Sequence, residues 1–317
     1  MQKILSIGQA CVDLVVSGFS RMPHKGELIR VPSITMTTGG CANNAAKALG
    51  KLGADVSLCT LLGEDDFADV VRRKAQESHV DLRFVKTTRE AGTGSTVVLL
   101  HEDAERSFLN DQGTNAVFNV EDIPFDAFSD FSIALISGVP LLASFYGEGC
   151  RQALQHLQAA GITTALDLAF DSTGSWQEKV LPCLPFCDYF MPSDLEAQAV
   201  SGKTDENDMA DFFLGKGAAH VLIKLGSRGC LYADVKTRFL TPSIPVNPVD
   251  TTGAGDCFCA GFLYGLANHY SLEDSVLLGN ASGALCVSHT GATEGMQSAL
   301  DIRKWLIQKG FPLSVDQ

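Results

Sequence analysis

The 317-residue chain is short of positive charge. Lys and Arg number 24 against 37 Asp and Glu, a net charge of −13. Nucleic acid and anionic membranes are bound through basic surfaces, so this balance excludes both as main partners and favours a small molecule. Long apolar runs are also missing. The uncharged stretch 131–147 is interrupted by Gly138 and Pro140, and 275–293 carries Asn280, Ser282, Ser288, His289 and Thr290, too polar for about 20 residues of lipid. The apolar stretch after Lys3 meets Asp13 without the long core of a secretory signal, so a cytoplasmic protein is expected. None of the ten cysteines forms C-x-x-C. Cys183/Cys187 and Cys257/Cys259 have the wrong spacing for zinc, and the seven histidines form no ligand-spaced cluster. Buried free thiols in a reducing compartment are the reading that remains. No G-x-x-x-x-G-K-[ST] and no G-x-S-x-G occurs, which removes the P-loop and the hydrolase triads. No repeat, low-complexity tract or Pro/Gly linker divides the chain, so residues 1–317 are expected to form one large domain.

What is present is an alternation. Ile4–Ile7, Val56–Leu62, Ile133–Ser137, Thr163–Asp167, Tyr189–Met191 and His220–Lys224 are short apolar runs of strand type. Helical patterns lie between them: from Gly39-Gly40 to Gly53, Asp65–Ser78, Leu141–Ala160, Ser193–Ser201 and Asn207–Gly215. Strands alternating with helices mean βαβ units and a mostly parallel sheet, an α/β fold. Two segments break the rhythm. Glu27–Thr38 is β-rich through Leu28–Val31 and Ile34–Thr37, and Thr93–Leu100 with Arg106–Leu109 reads as a hairpin. Together they predict a small second sheet made from two insertions, at about 9–38 and 91–112.

The most informative stretch is Asp250-Thr251-Thr252-Gly253-Ala254-Gly255-Asp256, which opens an apolar helix through Gly261. Glycines let a ligand approach the backbone, and the free N–H groups of a helix start attract an anion. Asp256 falls in the first turn, beside that anion. A carboxylate there makes sense as a base for a hydroxyl attacking a phosphoryl group; the alternative is an acid stabilising its own helix dipole. Gly39-Gly40-Cys41-Ala42-Asn43-Asn44 is a second glycine pair before a helix, suited either to hydroxyl recognition by Asn44 or to a capped turn. Asp13 follows the first strand, where open α/β sheets bind ligands, and can grip neighbouring hydroxyls; an ordinary loop Asp is the competing reading. Lys224, Gly226 and Gly229 end another strand with a cation and two glycines. Ser193 to Glu196 has the spacing of a helix capping box. Asp167 and Asp171 follow a further strand and are candidates for the same cleft.

These pieces, in this order, resemble the ribokinase-like (PfkB) carbohydrate kinases. Gly39–Asn44 is similar to the family's first signature and D-T-T-G-A-G-D at Asp250–Asp256 to its second, and the likeness spans nearly the whole chain. The resemblance implies a Rossmann-like three-layer α/β/α sandwich with a small β-sheet lid. It implies transfer of the γ-phosphoryl of Mg-ATP to a sugar hydroxyl. Asp256 would be the base and the backbone of Gly253, Ala254 and Gly255 the anion hole. Asp13, Gly39, Gly40 and Asn44 would hold the sugar, with Arg106 of the lid hairpin a further candidate. Lys224, Gly226, Gly229 and Asn280 would lie along the nucleotide. Glu196 matches the Glu of the family's N-x-x-E motif, organising Mg²⁺ through water, but Ser193 stands where the motif has Asn. Asp250 and Thr252, with the loop 288–291, resemble the family's monovalent-cation site, which makes K⁺ a further expectation. Cys11 replaces the Asn that ribose-specific members carry two residues before the substrate Asp. A nucleoside kinase is the second reading, and a non-catalytic sugar sensor the third. Exposed lid edges predict a homodimer.

Overall fold

The computed structural model describes residues 2–19, 21–101, 106–171 and 173–316. Its strands are β1 (Lys3–Gly8), β2 (Cys11–Phe19), β3 (Ser33–Gly39), β4 (Val56–Gly63), β5 (Asp81–Thr88), β6 (Ser95–His101), β7 (Arg106–Asp111), β8 (Phe131–Ser137), β9 (Thr163–Leu166), β10 (Tyr189–Phe190), β11 (His220–Lys224), β12 (Cys230–Ala233) and β13 (Arg238–Thr241). The α-helices are α1 (Cys41–Leu52), α2 (Asp66–Glu77), α3 (Thr114–Val117), α4 (Glu148–Ala159), α5 (Trp176–Val180), α6 (Asp194–Ser201), α7 (Glu206–Gly215), α8 (Ala254–Ala267), α9 (Leu272–Val287) and α10 (Ala299–Lys309).

Among the described residues, nine strands form one sheet in the order β13-β12-β11-β10-β9-β8-β1-β4-β5. The seven from β11 to β5 are parallel, and β12 and β13 close one edge antiparallel. Both faces of the sheet are covered, which is why its strands read as near-continuous apolar runs. Ile4, Ile133, Leu135 and Leu222 pack toward α1, α8 and α9. Their neighbours Leu5, Ile7, Ala134, Ile136, Val221 and Ile223 face the opposite layer, with Leu154 of α4 and Phe213 of α7. The result is a three-layer sandwich. Small residues bring α8 and α9 into close contact: a β-carbon on Gly261 would stand 2.4 Å from Ser282 Oγ. The strand order reverses at β1, flanked by β4 and β8, and the crevice at the carboxyl ends of parallel strands is where such sheets bind ligands.

The second sheet, β3-β2-β6-β7, stands outside the first. Asp13 lies inside β2, paired with Thr37 of β3 and Thr96 of β6, rather than in a loop. Leu28–Val31 is not a strand. Pro32 follows it, and a residue without a backbone N–H ends pairing there, so β3 starts at Ser33. The expected helix from Leu141 shortens. Residues 139–141 form a 3-10 turn, and Gly147, at φ 94°, precedes the start of α4 at Glu148. Leu142 and Phe145 are fully buried from the intervening loop, which imitates a helical period.

Candidate active site

The start of α8 is the centre of the site. Gly253 caps it at φ 77°, and a β-carbon there would stand 2.2 Å from the Ala292 carbonyl oxygen, so glycine is required on two counts. Asp256, in the first turn, is buried. Its Oδ2 accepts a hydrogen bond from Asn44 Nδ2 at 2.9 Å, joining α8 to α1 across 212 residues of sequence. Burial, then the charge of Asp167, push Asp256 up to about 7, against the Asn44 hydrogen bond and Lys224. A carboxyl that changes protonation near neutrality is suited to accept a proton.

A cleft of ≈ 840 Å³ opens beside this helix start. Gly253, Ala254, Gly255 and Asp256 form one wall. The carboxyl ends of the sheet supply Asp167, Ser193, Glu196, Lys224, Gly226 and Gly229. Ile244, Val246, Ala284 and Val287 make an apolar end, beside Asn280. Lys224 Nζ donates to Asp167 Oδ1. A β-carbon on Gly255 would stand 3.1 Å from that ammonium, so the lysine lies against the helix start. Burial opposes the Lys224 charge, but the Asp167 carboxylate, aided by Cys259 and Glu196, holds its pKa well above the usual lysine value. Burial also pushes the Glu196 carboxyl up, with Lys224 opposing. Ser193 and Glu196 form the capping box: Ser193 N donates to Glu196 Oε2 at 2.7 Å, and Glu196 N to Ser193 Oγ at 3.3 Å. Asn280 Nδ2 donates to the carbonyls of Thr241 and Pro242, pinning the segment that walls the apolar end.

Asn44, which bonds Asp256, sits in the first turn of α1 behind Gly40, and Gly39 lies against Asp13. A β-carbon on Gly39 would stand 2.2 Å from Asp13 Oδ2, so the carboxylate rests on bare backbone. Burial pushes Asp13 up, against Cys11, Lys47 and Thr96. Asn44 Oδ1 is buried and has no hydrogen-bond partner. Lys47, one turn further along α1, is 4% exposed and donates to Thr38 Oγ1 at 2.9 Å. Its burial pulls it down to about 8.

Other candidates fall elsewhere. Asp250 spans two loops, Oδ1 accepting from Thr252 N at 2.8 Å and Oδ2 from Gly291 N at 3.0 Å, and neither Asp250 nor Thr252 lines the cleft. Asp171 is buried away from the cleft, accepting from Tyr146 OH and from Thr173. Arg106 begins β7, and its side chain lies outside the described residues. Cys41 was not singled out by sequence, yet its first-turn place in α1 puts it in the cleft near Asp256. All ten cysteines are free, and among the described residues no group of three His, Cys, Asp or Glu could hold a metal and no helix is long and apolar enough to cross a membrane.

Comparison with known proteins matches residues 1–299 to the pfkB family of carbohydrate kinases. A ribokinase of Staphylococcus aureus is 29% identical over 303 residues, 92% of this chain and 95% of that one. Two solved structures share the fold. A ribokinase of Arabidopsis thaliana complexed with ribose and ATP superposes with a TM-score of 0.84 at 24% identity, over 96% of this chain and 98% of that one. A protein of Escherichia coli in complex with ATP and Mg²⁺ superposes with a TM-score of 0.84 at 21% identity, over 97% of this chain and all of the other.

Proposed function

The chain belongs to the pfkB family of carbohydrate kinases, ATP-dependent phosphotransferases with an alcohol acceptor, and from that premise we propose how its own residues transfer the phosphoryl group. The observation that carries the reading is Asp256: a buried carboxyl near neutrality, the third residue of the glycine-capped α8, lining the cleft and bonded to Asn44. A sugar hydroxyl gives its proton to Asp256 while its oxygen attacks the γ-phosphorus, and the bond to the ADP oxygen breaks. The backbone of Gly253, Ala254 and Gly255 faces the charge on the transferring group. Asp13, Gly39, Gly40 and Asn44 hold the sugar, and the partnerless Asn44 Oδ1 accepts from one of its hydroxyls. The nucleotide lies along Lys224, Gly226 and Gly229, with its base in the apolar end beside Asn280. Arg106 is kept as a lid contact for an acidic acceptor.

Mg²⁺ fits as an ion arriving with the nucleotide. Glu196 and Asp194 line the cleft with one oxygen each left over, and Mg²⁺ commonly uses one or two carboxylates, waters and phosphate oxygens. When bound, it neutralises charge on the phosphates. Asp250 and Thr252 tie the loops of a K⁺ site; equal turnover in K⁺, Na⁺ and choline would remove it.

The small sheet acts as the lid over the sugar, within one domain of 1–317 whose lid segments are 9–38 and 91–112. It presents Ile34 and Met36 of β3 and Leu109 of β7 exposed, an apolar surface that suits a homodimer through the lid. A monomeric mass by light scattering at micromolar concentration would overturn it.

Cys11 offers a ribose hydroxyl a poor partner, since its thiol lies 3.7 Å from Asp13 Oδ1. The test is coupled ADP release with Mg²⁺ and K⁺ over ribose, fructose, other hexoses, a 2-keto-3-deoxy sugar acid, phosphosugars and adenosine, with Asp256→Asn as blank. Turnover of one sugar class, absent from the blank, supports the reading. One observation favours a nucleoside instead: pairing through Val15, Val98 and Phe108 puts the exposed Phe108 ring on the lid face of Asp13. Turnover of adenosine alone would select it.

A further inference from the structure

Two positive features meet at one spot. The N-terminus of α8 carries the positive end of its helix dipole, and the Lys224 ammonium lies against the same turn, where even a methyl group on Gly255 would crowd it. A cation at a helix N-terminus is unfavourable unless an anion sits with it. In this structure that anion is Asp167. It follows the end of β9, is 2% exposed, and both of its oxygens are engaged: Oδ1 by Lys224 Nζ, and Oδ2 by Ser137 Oγ at 3.0 Å. Ser137, fully buried, ends β8. The chain of contacts therefore runs across the carboxyl ends of β8, β9 and β11 to the start of α8.

Each Asp167 oxygen is already held by a buried protein donor, so the carboxylate is fixed in place beside Lys224. A purely stabilising role is a weak account, because buried ion pairs seldom contribute more than apolar residues of the same size. We propose that Asp167, oriented by Ser137, is a positioning residue for phosphoryl transfer: it holds the Lys224 ammonium at the helix start, where the transferred phosphoryl binds. The inference rests on the kinase reading above and deepens it. Lys224 then meets the growing charge with its direction already fixed, which is how preorganised donors accelerate such steps.

The same contact reaches the base. Asp256 is faced by Asn44 and Cys41 from α1, Lys224 from β11 and Asp167 after β9, while Lys224 is faced by Asp167, Glu196 and Cys259. Replacing Asp167 by Asn removes a negative charge near Asp256 and leaves Lys224 uncompensated. Both changes favour the Asp256 carboxylate, so the acid limb of the pH–rate profile moves to lower pH. A merely structural loss leaves the limb in place.

The experiment uses the acceptor that turns over in the panel, with Mg-ATP varied, for wild type, D167N, K224M, the double variant and S137A. D167N and K224M are expected to lose roughly 10²- to 10³-fold in kcat with little change in KM for Mg-ATP. The double variant is expected to lose no more than K224M alone, since Asp167 acts through Lys224. D167N also shows the limb shift. S137A, which leaves every charge in place, loses a smaller factor in kcat, melts a few degrees lower because a buried carboxylate oxygen loses its donor, and decides the matter if D167N does not fold. Wild-type turnover with D167N or S137A undiminished overturns this inference alone, as do losses that multiply in the double variant or an unmoved limb. Wild-type silence across the panel overturns the kinase reading, and this inference with it.

Discussion

Asp256→Asn is expected to make the protein inactive and, above neutrality, more stable. The carboxyl moves from 3.8 to about 7 on folding, chiefly through burial. A raised acid binds its proton more tightly in the folded state than in the unfolded one. Folding is then favoured most where the proton is present, below about pH 4, and stability is lost as pH rises from there to about 7. Roughly three units at about 1.4 kcal/mol each set an upper bound near 4 kcal/mol for the cost of the carboxylate at pH 8. Asparagine has the same shape and no charge, so it escapes that cost at every pH. The Asn44 contact loses its charge assistance, which takes back on the order of 1 kcal/mol. A net gain of about 2–3 kcal/mol corresponds to a melting point higher by about 3–5 °C in a chain of 317 residues. The assay is thermal unfolding of both proteins without ligands at pH 4 and pH 8, beside turnover at pH 8. The difference should be small at pH 4 and large at pH 8, while kcat falls by roughly 10²- to 10⁴-fold. A melting difference equal at the two pH values, or a variant with near-normal turnover, would refute the reasoning.

Gly253→Ala strains a left-handed residue and drives a methyl group toward the Ala292 carbonyl, so kcat should fall about a hundredfold, read by steady-state turnover with circular dichroism to verify folding. Lys47→Met should stabilise at pH 7 by about 2 kcal/mol. The buried lysine falls from 10.5 to about 8, so its charge costs most below pH 8 and the gain should shrink toward pH 10.5, as urea unfolding at pH 7 and pH 10 will show. Among the described residues Asp167, Asp194, Glu196 and Asp256 line the cleft with one lysine, so Mg-ATP should bind at least tenfold more tightly than ATP in EDTA by calorimetry, and equal affinities would contradict the electrostatic account.

The parallel core was legible because strands covered on both faces show as bare apolar runs, and α1 because glycines bracket it: Gly40 before it and Gly53, left-handed, after it. The lid was half legible. Its hairpin alternates and turns, as β6 and β7 do, but β2 follows β1 after only Gln9 and Ala10, and nothing in Val12–Val16 marks where one sheet ends and another begins. The start of α8 was legible because the helix itself needs glycine there: Gly253 caps it at a positive φ against the Ala292 carbonyl, and that is the place proposed for the anion. The role proposed for Asp167 was not legible. A carboxylate after a strand is visible, but its use depends on which cation crosses β10 to meet it, and Lys224 lies 57 residues away. Asp171 shows the difference. It follows the same strand with the same chemistry, yet Tyr146 and Thr173 take its oxygens and leave it structural. Residue type and strand end nominate a carboxylate; its partners decide what it does.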